Sequence, residues 1–429
     1  MSSTDTSVLQ HTTKQQLEQA IAENHRELFM LGAVVKGGEV VNARELTYTW
    51  SPDNGASVLF PMLSEAGMDA LLDDMMTYYR SHPPKNIGYW SLEPAQPADI
   101  SARLLARGFQ LGWQPCWMAI DLKHINADYP VPEGLEIRID NAISVQEVKG
   151  LPYGDSDTIT DAFLQIHPAR AQRIVALLDG KIVGHNCLFF TTGPNGVAGL
   201  YNVGVLPELQ KQGIGKALVA AACQCARERG YRYATLNANH IGRRTYEQVG
   251  FEFVGHGITW WIVNHHFITN PPSPNLVILT EATGRGDITT LEKVGRHFTA
   301  ADLNAPLING MKLIELAAHF KQSAAAEWLI AHGAEFTALV AWDLGWKDRA
   351  AALLANDPQE VNRRYFEWEG TLLHIAALRD DLELAQLALA NGADLSIRDK
   401  EHDSPPLGWA WYFKREEMIG LIKNYMDNH

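Results

Sequence analysis

The sequence has little cysteine: Cys116, Cys187, Cys223 and Cys225 are the only four in 429 residues. None forms a C-x-x-C pair, and Cys223 and Cys225, two apart on an expected helix, point in different directions and cannot easily bridge. Such cysteines read as small buried residues in a reducing compartment, not as a disulfide frame or redox site. No H-E-x-x-H or similar spacing occurs, so no metal is expected, and the adjacent His265 and His266 read as solvated. There is no run of eighteen apolar residues, so no transmembrane helix is expected. The stretch from Met1 to Ser7 is polar and lacks a leader's apolar core, so the expected location is cytoplasmic. Positive charge is also short. Lys and Arg number 36 against 50 Asp and Glu, a net charge of −14, which argues against nucleic acid and anionic membrane surfaces as partners. An acidic balance is compatible with cationic substrates such as amines. The 46% hydrophobic and 20% charged content is that of a globular chain, long enough for two or three domains.

What is present centres on Gln210-Lys211-Gln212-Gly213-Ile214-Gly215. A strand-like run, Gly199 to Val205, leads into it, and an alanine-rich helical run, Lys216 to Arg229, leads out to Gly230 as a C′ stop. A strand, a glycine loop and a helix N-terminus together offer several backbone N–H groups to one anion. The glycines let that anion approach without a Cβ in the way. The reading is a pyrophosphate site. A Rossmann fingerprint would need a third glycine and an acidic end to the next strand, which instead ends in Asn237 and Asn239. A P-loop would need a hydroxyl after Gly215-Lys216, where Ala217 stands.

Downstream come a strand, Tyr233 to Asn237, then Asn239, then Thr245-Tyr246-Glu247-Gln248-Val249-Gly250-Phe251. In type, order and spacing these two motifs resemble the GCN5-related N-acetyltransferase (GNAT) family, over about residues 134 to 264. The resemblance implies acetyl-CoA as cosubstrate, wedged between the fourth and fifth strands. Val203, Gly204 and Val205 would pair with the pantetheine arm and supply an oxyanion donor. Gln210, Lys211, Gln212, Gly213, Ile214 and Gly215 would hold the pyrophosphate, with the charge of Lys216 nearby, and Asn239 would bond the arm further along. Tyr246 would protonate the departing sulfur as general acid. Many family members carry a glutamate base on the fourth strand; here Tyr201 and Asn202 stand there. The open candidates are Asp155, Asp157, Asp161 and His185, with water-mediated deprotonation beside them. Trp260 and Trp261 lie on opposite faces of the last expected strand, one in the core and the other at an interface or the acceptor site.

Before residue 130, Ile87 to Leu92 and Cys116 to Leu122 read as strands and Asp99 to Gly108 as a helix. Helix, Gly108-Phe109, then strand parallels the Tyr246 to Ile262 region, so this segment resembles a second, degenerate GNAT unit. It has no Gln/Arg-x-x-Gly-x-Gly loop between Glu45 and Pro84, and Leu104 stands in place of the tyrosine, so no cofactor is expected there. An unrelated α/β domain is the alternative. After Pro271-Pro272-Ser273-Pro274 the chain turns all-helical. Leu279 and Leu313, and Leu373 and Leu407, are each 34 residues apart and are expected to open short helices. Gly370-Thr371-Leu372-Leu373-His374-Ile375-Ala376-Ala377 and Asn391-Gly392-Ala393-Asp394 resemble the ankyrin repeat, implying about five units. The resemblance gives His374 a structural role, tying adjacent turns together.

The expected fold is therefore α/β, a mixed-sheet GNAT part followed by an all-α ankyrin solenoid. The expected division is a degenerate unit at 1–130, an active unit at 131–268, a linker at 269–275 and repeats at 276–429. The expected function is acetyl transfer to an amine of a small molecule, such as an antibiotic, or of a protein, with the repeats choosing or regulating a partner. The alternative is a non-catalytic CoA-binding scaffold whose repeats bind a protein.

Overall fold

The computed structural model describes residues 7–52, 55–128, 130–156, 158–239 and 242–428. Residues 1–6, which carry most of the leader reading, and the candidate base Asp157 lie outside them. The chain divides into two compact units, Met1–Ile100 with Phe109–Pro271, and Ser101–Gly108 with Pro272–His429.

The first unit opens with helix α1 (Lys14–Val35), whose N-cap Thr13 hydroxyl accepts from the Gln16 amide at 3.2 Å. Strands β1 (Glu39–Ala43), β2 (Leu46–Trp50) and β3 (Ala56–Leu59) follow, then α2 (Met68–Ser81) and β4 (Ile87–Leu92). Helix α3 (Ile100–Ala106) groups with the second unit; β5 (Gln110–Leu111) and β6 (Cys116–Asp121) return to the first. Next come β7 (Leu135–Ile139), α4 (Asp161–Ile166), β8 (Ala171–Leu178), β9 (Lys181–Phe190) and β10 (Ala198–Val205). Then follow α5 (Ile214–Glu228), β11 (Tyr233–Ala238), α6 (Arg243–Val249), β12 (Glu252–Ile262) and α7 (His265–Thr269).

All twelve strands join one sheet in the order β1-β2-β3-β4-β12-β6-β11-β10-β9-β8-β7, with β5 beside β12. Two neighbouring pairs are parallel, β3 with β4 and β10 with β11, and each is joined through one helix, α2 or α5. Two strands lie outside the order of the chain. Strand β6, from the first half of the unit, lies between β11 and β12; residues Gly257 to Ile262 of β12 lie between β4 and β5. One long strand therefore spans both places, with a register shift between Phe253 and Gly255.

Helix α5 packs on the sheet because its apolar positions recur at helical spacing: Ile214, Leu218, Val219, Ala222, Cys223 and Ala226 are all buried. Each fully buried Leu or Val there contributes about 1.5–3 kcal/mol. Gly230, with φ of 88°, takes the left-handed position past its C-terminus. Between Ser144 and Arg170 the one helix among the described residues is α4; the other described residues are turn and extended chain carried on a small core of Val145, Leu151, Val175 and Leu177.

The second unit, beyond α3, runs α8 (Pro274–Arg285), α9 (Ile288–Gly295), α10 (Ala300–Asn304), α11 (Leu313–His319), α12 (Ser323–Ala331), α13 (Ala338–Asp343) and α14 (Lys347–Asn356). It ends with α15 (Leu372–Arg379), α16 (Leu382–Ala390), α17 (Pro406–Tyr412) and α18 (Glu416–Asn428). Five helix pairs stack here: α8 with α9, α11 with α12, α13 with α14, α15 with α16 and α17 with α18. Leu313 opens its helix as expected, and Leu373 and Leu407 lie one residue inside theirs, but Leu279 sits mid-helix because Pro274, at the first turn of α8, moves the start upstream. His374 Nδ1 accepts from the Thr371 amide and hydroxyl at 3.2 and 2.9 Å, and its Nε2–H donates to the Ser404 carbonyl at 3.0 Å. It is a fully buried tie between successive repeats. Helix α3 contributes Leu105 to the apolar core around Leu279, Leu313 and Leu316. Arg107, just past α3, forms a buried ion pair with Glu281.

Candidate functional site

The site is set by the way β10 leaves its neighbour. Strands β10 and β11 pair only over Ala198–Leu200 and Ala234–Leu236. Beyond Leu200 the register of β10 against β9 slips, from Tyr201 opposite Cys187 to Gly204 opposite His185. Asn202 takes a φ of 54°, the left-handed conformation that asparagine tolerates better than most side chains. This bulge turns Asn202, Val203, Gly204 and Val205 away from β11 and opens a cleft between the strands. Sequence reading expected a gap between these strands at Val203–Val205 but not the bulge that parts them, although Asn202-Val203-Gly204 carries the residue types that permit it.

The loop beyond the cleft holds the remaining predicted binders. The Gln210 side-chain amide donates to the Val205 carbonyl at 3.1 Å, tying the loop to the strand end. Gln210, Lys211 and Gln212 are exposed, and Ile214 is buried under the loop. Gly213 is the N-cap of α5 at φ 89°, with no side-chain cap, and a Cβ there would collide with the Pro130 carbonyl. A Cβ on Gly215 would meet only the Val205 and Thr245 methyls, at 3.8 and 3.9 Å. The first-turn amides at Ile214 and Gly215 have no intrahelical acceptor and carry the positive end of the helix dipole. Lys216 is half-buried beside them.

Across the cleft, Asn239 follows β11. Its Oδ1 accepts from the Gly242 amide at 2.7 Å, and its Nδ2 lies 3.5 Å from the Tyr153 hydroxyl. Tyr246 on α6 is buried, its ring edge-on to Phe251 at 6.1 Å. Burial, with the nearby Tyr153 phenol, pushes its hydroxyl pKa up to about 12. The structure thus gathers Val203–Val205, Gln210–Lys216, Asn239 and Tyr246 around β10, β11 and the two helices that follow them.

Tyr153 was not anticipated. It has a φ of 60° and is half-exposed, in a segment stapled over the cleft. His185 Nε2–H donates to the Pro152 carbonyl at 2.9 Å, and Ser156 Oγ donates to Asn202 Oδ1 at 3.2 Å. Gly204 lets that carbonyl approach β10, since a Cβ there would strike it. His185 is itself buried, which depresses its pKa, and its Nδ1 has no hydrogen-bond partner. Asp161 is ion-paired to Arg173 at 2.5 Å; burial opposes its ionisation, but hydrogen bonds from Ser144 and Arg173 outweigh that and hold its carboxyl below the usual range. Asp155 is exposed. Helix α1 also reaches the site: the Tyr201 hydroxyl donates to Asn24 Oδ1 at 2.7 Å and lies 3.2 Å from His25 Nδ1. Trp260 is fully buried against Tyr89, and Trp261, partly exposed, packs edge-on to Trp90.

Among the described residues no group of three or more His, Cys, Asp or Glu is placed to hold a metal ion, and no helix is long and apolar enough to cross a membrane. An open depression of about 530 Å³ lies between residues 83–85 and 263–265, and none of the cleft residues lines it.

With this geometry in place, residues 142–251 match the Acetyltransferase (GNAT) family. The chain carries a GNAT acetyltransferase domain. By that domain it is an acyltransferase. Residues 353–405 match the family of Ankyrin repeats (many copies), so the acetyltransferase domain is joined to ankyrin repeats. No curated protein matches the chain. Among solved structures it is similar to a GCN5-related N-acetyltransferase from Kribbella flavida, at 19% identity over 57% of this chain and 95% of that one, TM-score 0.44. A tandem GNAT protein from the clavulanic acid biosynthesis pathway is similar at 17% identity, over 59% and 97% of the two chains, TM-score 0.43. A GCN5-related N-acetyltransferase from Sphaerobacter thermophilus is similar at 18% identity, over 52% and 75%, TM-score 0.40. These likenesses are loose, and the family match carries the assignment.

Proposed function

We propose that the chain transfers the acetyl group of acetyl-CoA to an amine nitrogen of a small molecule or a protein, and that the ankyrin repeats engage a protein partner. The observation that carries this reading is the opening of β10 from β11 at Asn202, directly before the left-handed glycine start of α5. The cleft suits an extended amide chain ending in a pyrophosphate. Backbone groups of Val203, Gly204 and Val205 face it without a strand partner on that edge, and the amides of Gly213, Ile214 and Gly215 suit the phosphates. Acetyl-CoA supplies an activated thioester. Transfer then needs alignment of the amine, a donor for the carbonyl oxygen and a proton for the sulfur. An amide of the Val203–Val205 edge supplies the donor. Tyr246, with its pKa near 12, keeps its proton at neutral pH and gives it to the sulfur as the C–S bond breaks. With Asp161 ion-paired and His185 bonded to Pro152, the amine proton leaves through water.

A second reading, a non-catalytic CoA-binding scaffold, draws on one observation: β10 presents Tyr201 and Asn202 and no carboxylate. Titration with acetyl-CoA, followed by a thiol-release assay over a panel of amines, separates the two. Saturable binding with no thiol release for any amine favours the scaffold; no binding defeats both.

We also propose that residues 1–130 are a second, degenerate unit beside the active unit at 131–268, followed by a connector at 269–275 and repeats at 276–429. The support is a matching order of strands. The series β3, β4, β12, β5 repeats the series β10, β11, β6, β12, each with one parallel pair followed by antiparallel neighbours. Helices α2 and α5 both start from a left-handed glycine, Gly67 at 84° and Gly213 at 89°. Gly108-Phe109 and Gly250-Phe251 both follow a helix with a left-handed glycine and a buried ring.

A further inference from the structure

The repeated architecture, if it is a duplication as proposed above, gives the first half a cleft of its own between β3 and β4. Three features of that cleft differ from its counterpart. Strand β10 runs on from Leu200, its last partner on β11, to Val205, whereas β3 ends at Leu59, which still faces Trp90. Phe60 follows with a φ of 46°, then Pro61, which has no amide hydrogen. The strand edge that would pair with an extended arm is therefore missing. The carbonyls that remain are taken: the Arg26 guanidinium, reaching from α1, donates to Leu59 O at 3.2 Å and to Phe60 O at 2.7 Å.

The loop differs in the same sense. Aligned on the left-handed glycine, Ser64-Glu65-Ala66-Gly67-Met68-Asp69 lies over Gln210-Lys211-Gln212-Gly213-Ile214-Gly215. Met68 and Ile214, the first residues of the two helices, are both fully buried, so the register holds in three dimensions. Glu65 stands for Lys211 and Asp69 for Gly215. The Glu45 carboxylate, from the turn between β1 and β2, accepts from the Ser64 amide at 2.6 Å and from its hydroxyl at 2.9 and 3.0 Å. A phosphate at this helix start would meet Glu45, Glu65 and Asp69 with no lysine in the loop.

We infer that the cofactor cleft of the first half is closed by the chain itself, the Phe60 amide staying bonded to the Trp90 carbonyl of β4, Arg26 taking the strand-end carbonyls and Glu45 setting a carboxylate at the loop, so that the full chain takes one acetyl-CoA. This rests on the reading of β10 and α5 as the working cleft. The first half then serves the second through structure: β6 completes the sheet beside β11, and its Cys116 amide donates to Asn237 Oδ1 at 3.0 Å next to the cleft.

The test is acetyl-CoA calorimetry on the full chain, wild type and Gly215→Glu. One site in the wild type, weakened at least 100-fold in the variant, is the expected result. Two sites in the wild type, one of them surviving in Gly215→Glu, overturn the closure. A single site untouched by Gly215→Glu puts the ligand outside the second cleft and overturns it too. No binding in the wild type leaves the first cleft closed and defeats the acetyl-CoA reading instead. Melting of Glu45→Ala, Ser64→Ala and the double variant tests the Glu45–Ser64 contact. The double variant is expected to melt with Glu45→Ala, and Ser64→Ala to fall less because its amide bond remains; additive falls show that Glu45 does not hold the loop.

Discussion

Gly215→Glu and Gly213→Ala, made in parallel, separate binding from folding at the glycine loop. Gly213 cannot accept a side chain quietly. Its φ of 89° is unfavourable for any L-residue, and its Cβ would drive into the Pro130 backbone. The conformation alone costs about 1–2 kcal/mol and the collision adds to it. Gly213→Ala is therefore expected to lower stability, and lost binding in it would say little about where phosphate sits. Gly215 is different. It lies in the first turn of α5 with no positive φ, and a Cβ there makes ordinary contacts at 3.8 and 3.9 Å. Replacing a helical glycine gains up to about 1 kcal/mol of helix propensity, and a glutamate in the first turn suits the helix dipole. Gly215→Glu should melt at or above the wild-type temperature. Its carboxylate would stand roughly 5 Å from a bound pyrophosphate charge. At an effective dielectric constant near 20 that repulsion is roughly 3 kcal/mol, or about two decades in Kd. Calorimetry and a thermal melt on the same samples read both quantities. A stable Gly215→Glu protein that binds acetyl-CoA within about threefold of wild type refutes the placement of the pyrophosphate.

Tyr246→Phe removes the proposed acid and leaves a ring of the same shape, so thiol release should fall about 10²-fold or more while acetyl-CoA affinity stays within about twofold; unchanged release removes Tyr246 from the chemistry. His25 gives the fold an acid-sensitive point. Burial lowers its pKa from 6.5 to about 4, so the unfolded chain binds a proton there between those values and the folded chain does not. Stability is therefore lost as pH falls from about 6.5 toward 4, by about 3 kcal/mol at most; chemical denaturation at pH 7 and pH 4.5 should show the loss, and His25→Gln should flatten it. In the second unit, Glu281→Ala removes the carboxylate paired with the buried Arg107 guanidinium, which keeps its bond to the Arg103 carbonyl, and should cost about 3 kcal/mol, whereas Arg107→Met with Glu281→Leu should recover most of it; a single variant that melts like wild type shows that the pair is well solvated. Tyr153→Gly relieves a left-handed tyrosine and removes its phenol from Asn239, so the protein should stay folded and its rate of thiol release without amine should rise as water enters; an unchanged rate means that Tyr153 does not cover the thioester.

The glycine loop was legible in the sequence because its chemistry is local. Gly213 and Gly215 are close in the chain, and the helix they begin shows its buried stripe at regular spacing. The repeats were legible for the same reason, since Thr371, His374 and Gly392 each mark a turn or cap within a few residues. The placing of β6 and β12 was not legible. Their patterns announce strands but not partners, and the run from Glu252 to Ile262 looks like two strands because Gly255 and Gly257 interrupt its side chains. The start of α2 was missed because Ser64 to Asp69 keeps only one glycine of the motif, and what it preserves, a left-handed φ and a buried first residue, is geometric. Arg26 and Glu45 lie far from the loops they fill, so only the folded chain shows what they do.

The placing of β6 and β12 also sets an order of events in synthesis. When residue 130 has been made, β4 and β5 exist, but the segment that fills the place between them, Gly257 to Ile262, has not yet been translated. Until then the first half has two open strand edges, and β6 has neither β11 nor β12 to pair with. Such distant pairings are slow to form, and unpaired edges invite association with other chains. The nascent chain should therefore need shielding until translation has passed residue 262, and its folding should complete in one late, cooperative step for both halves together.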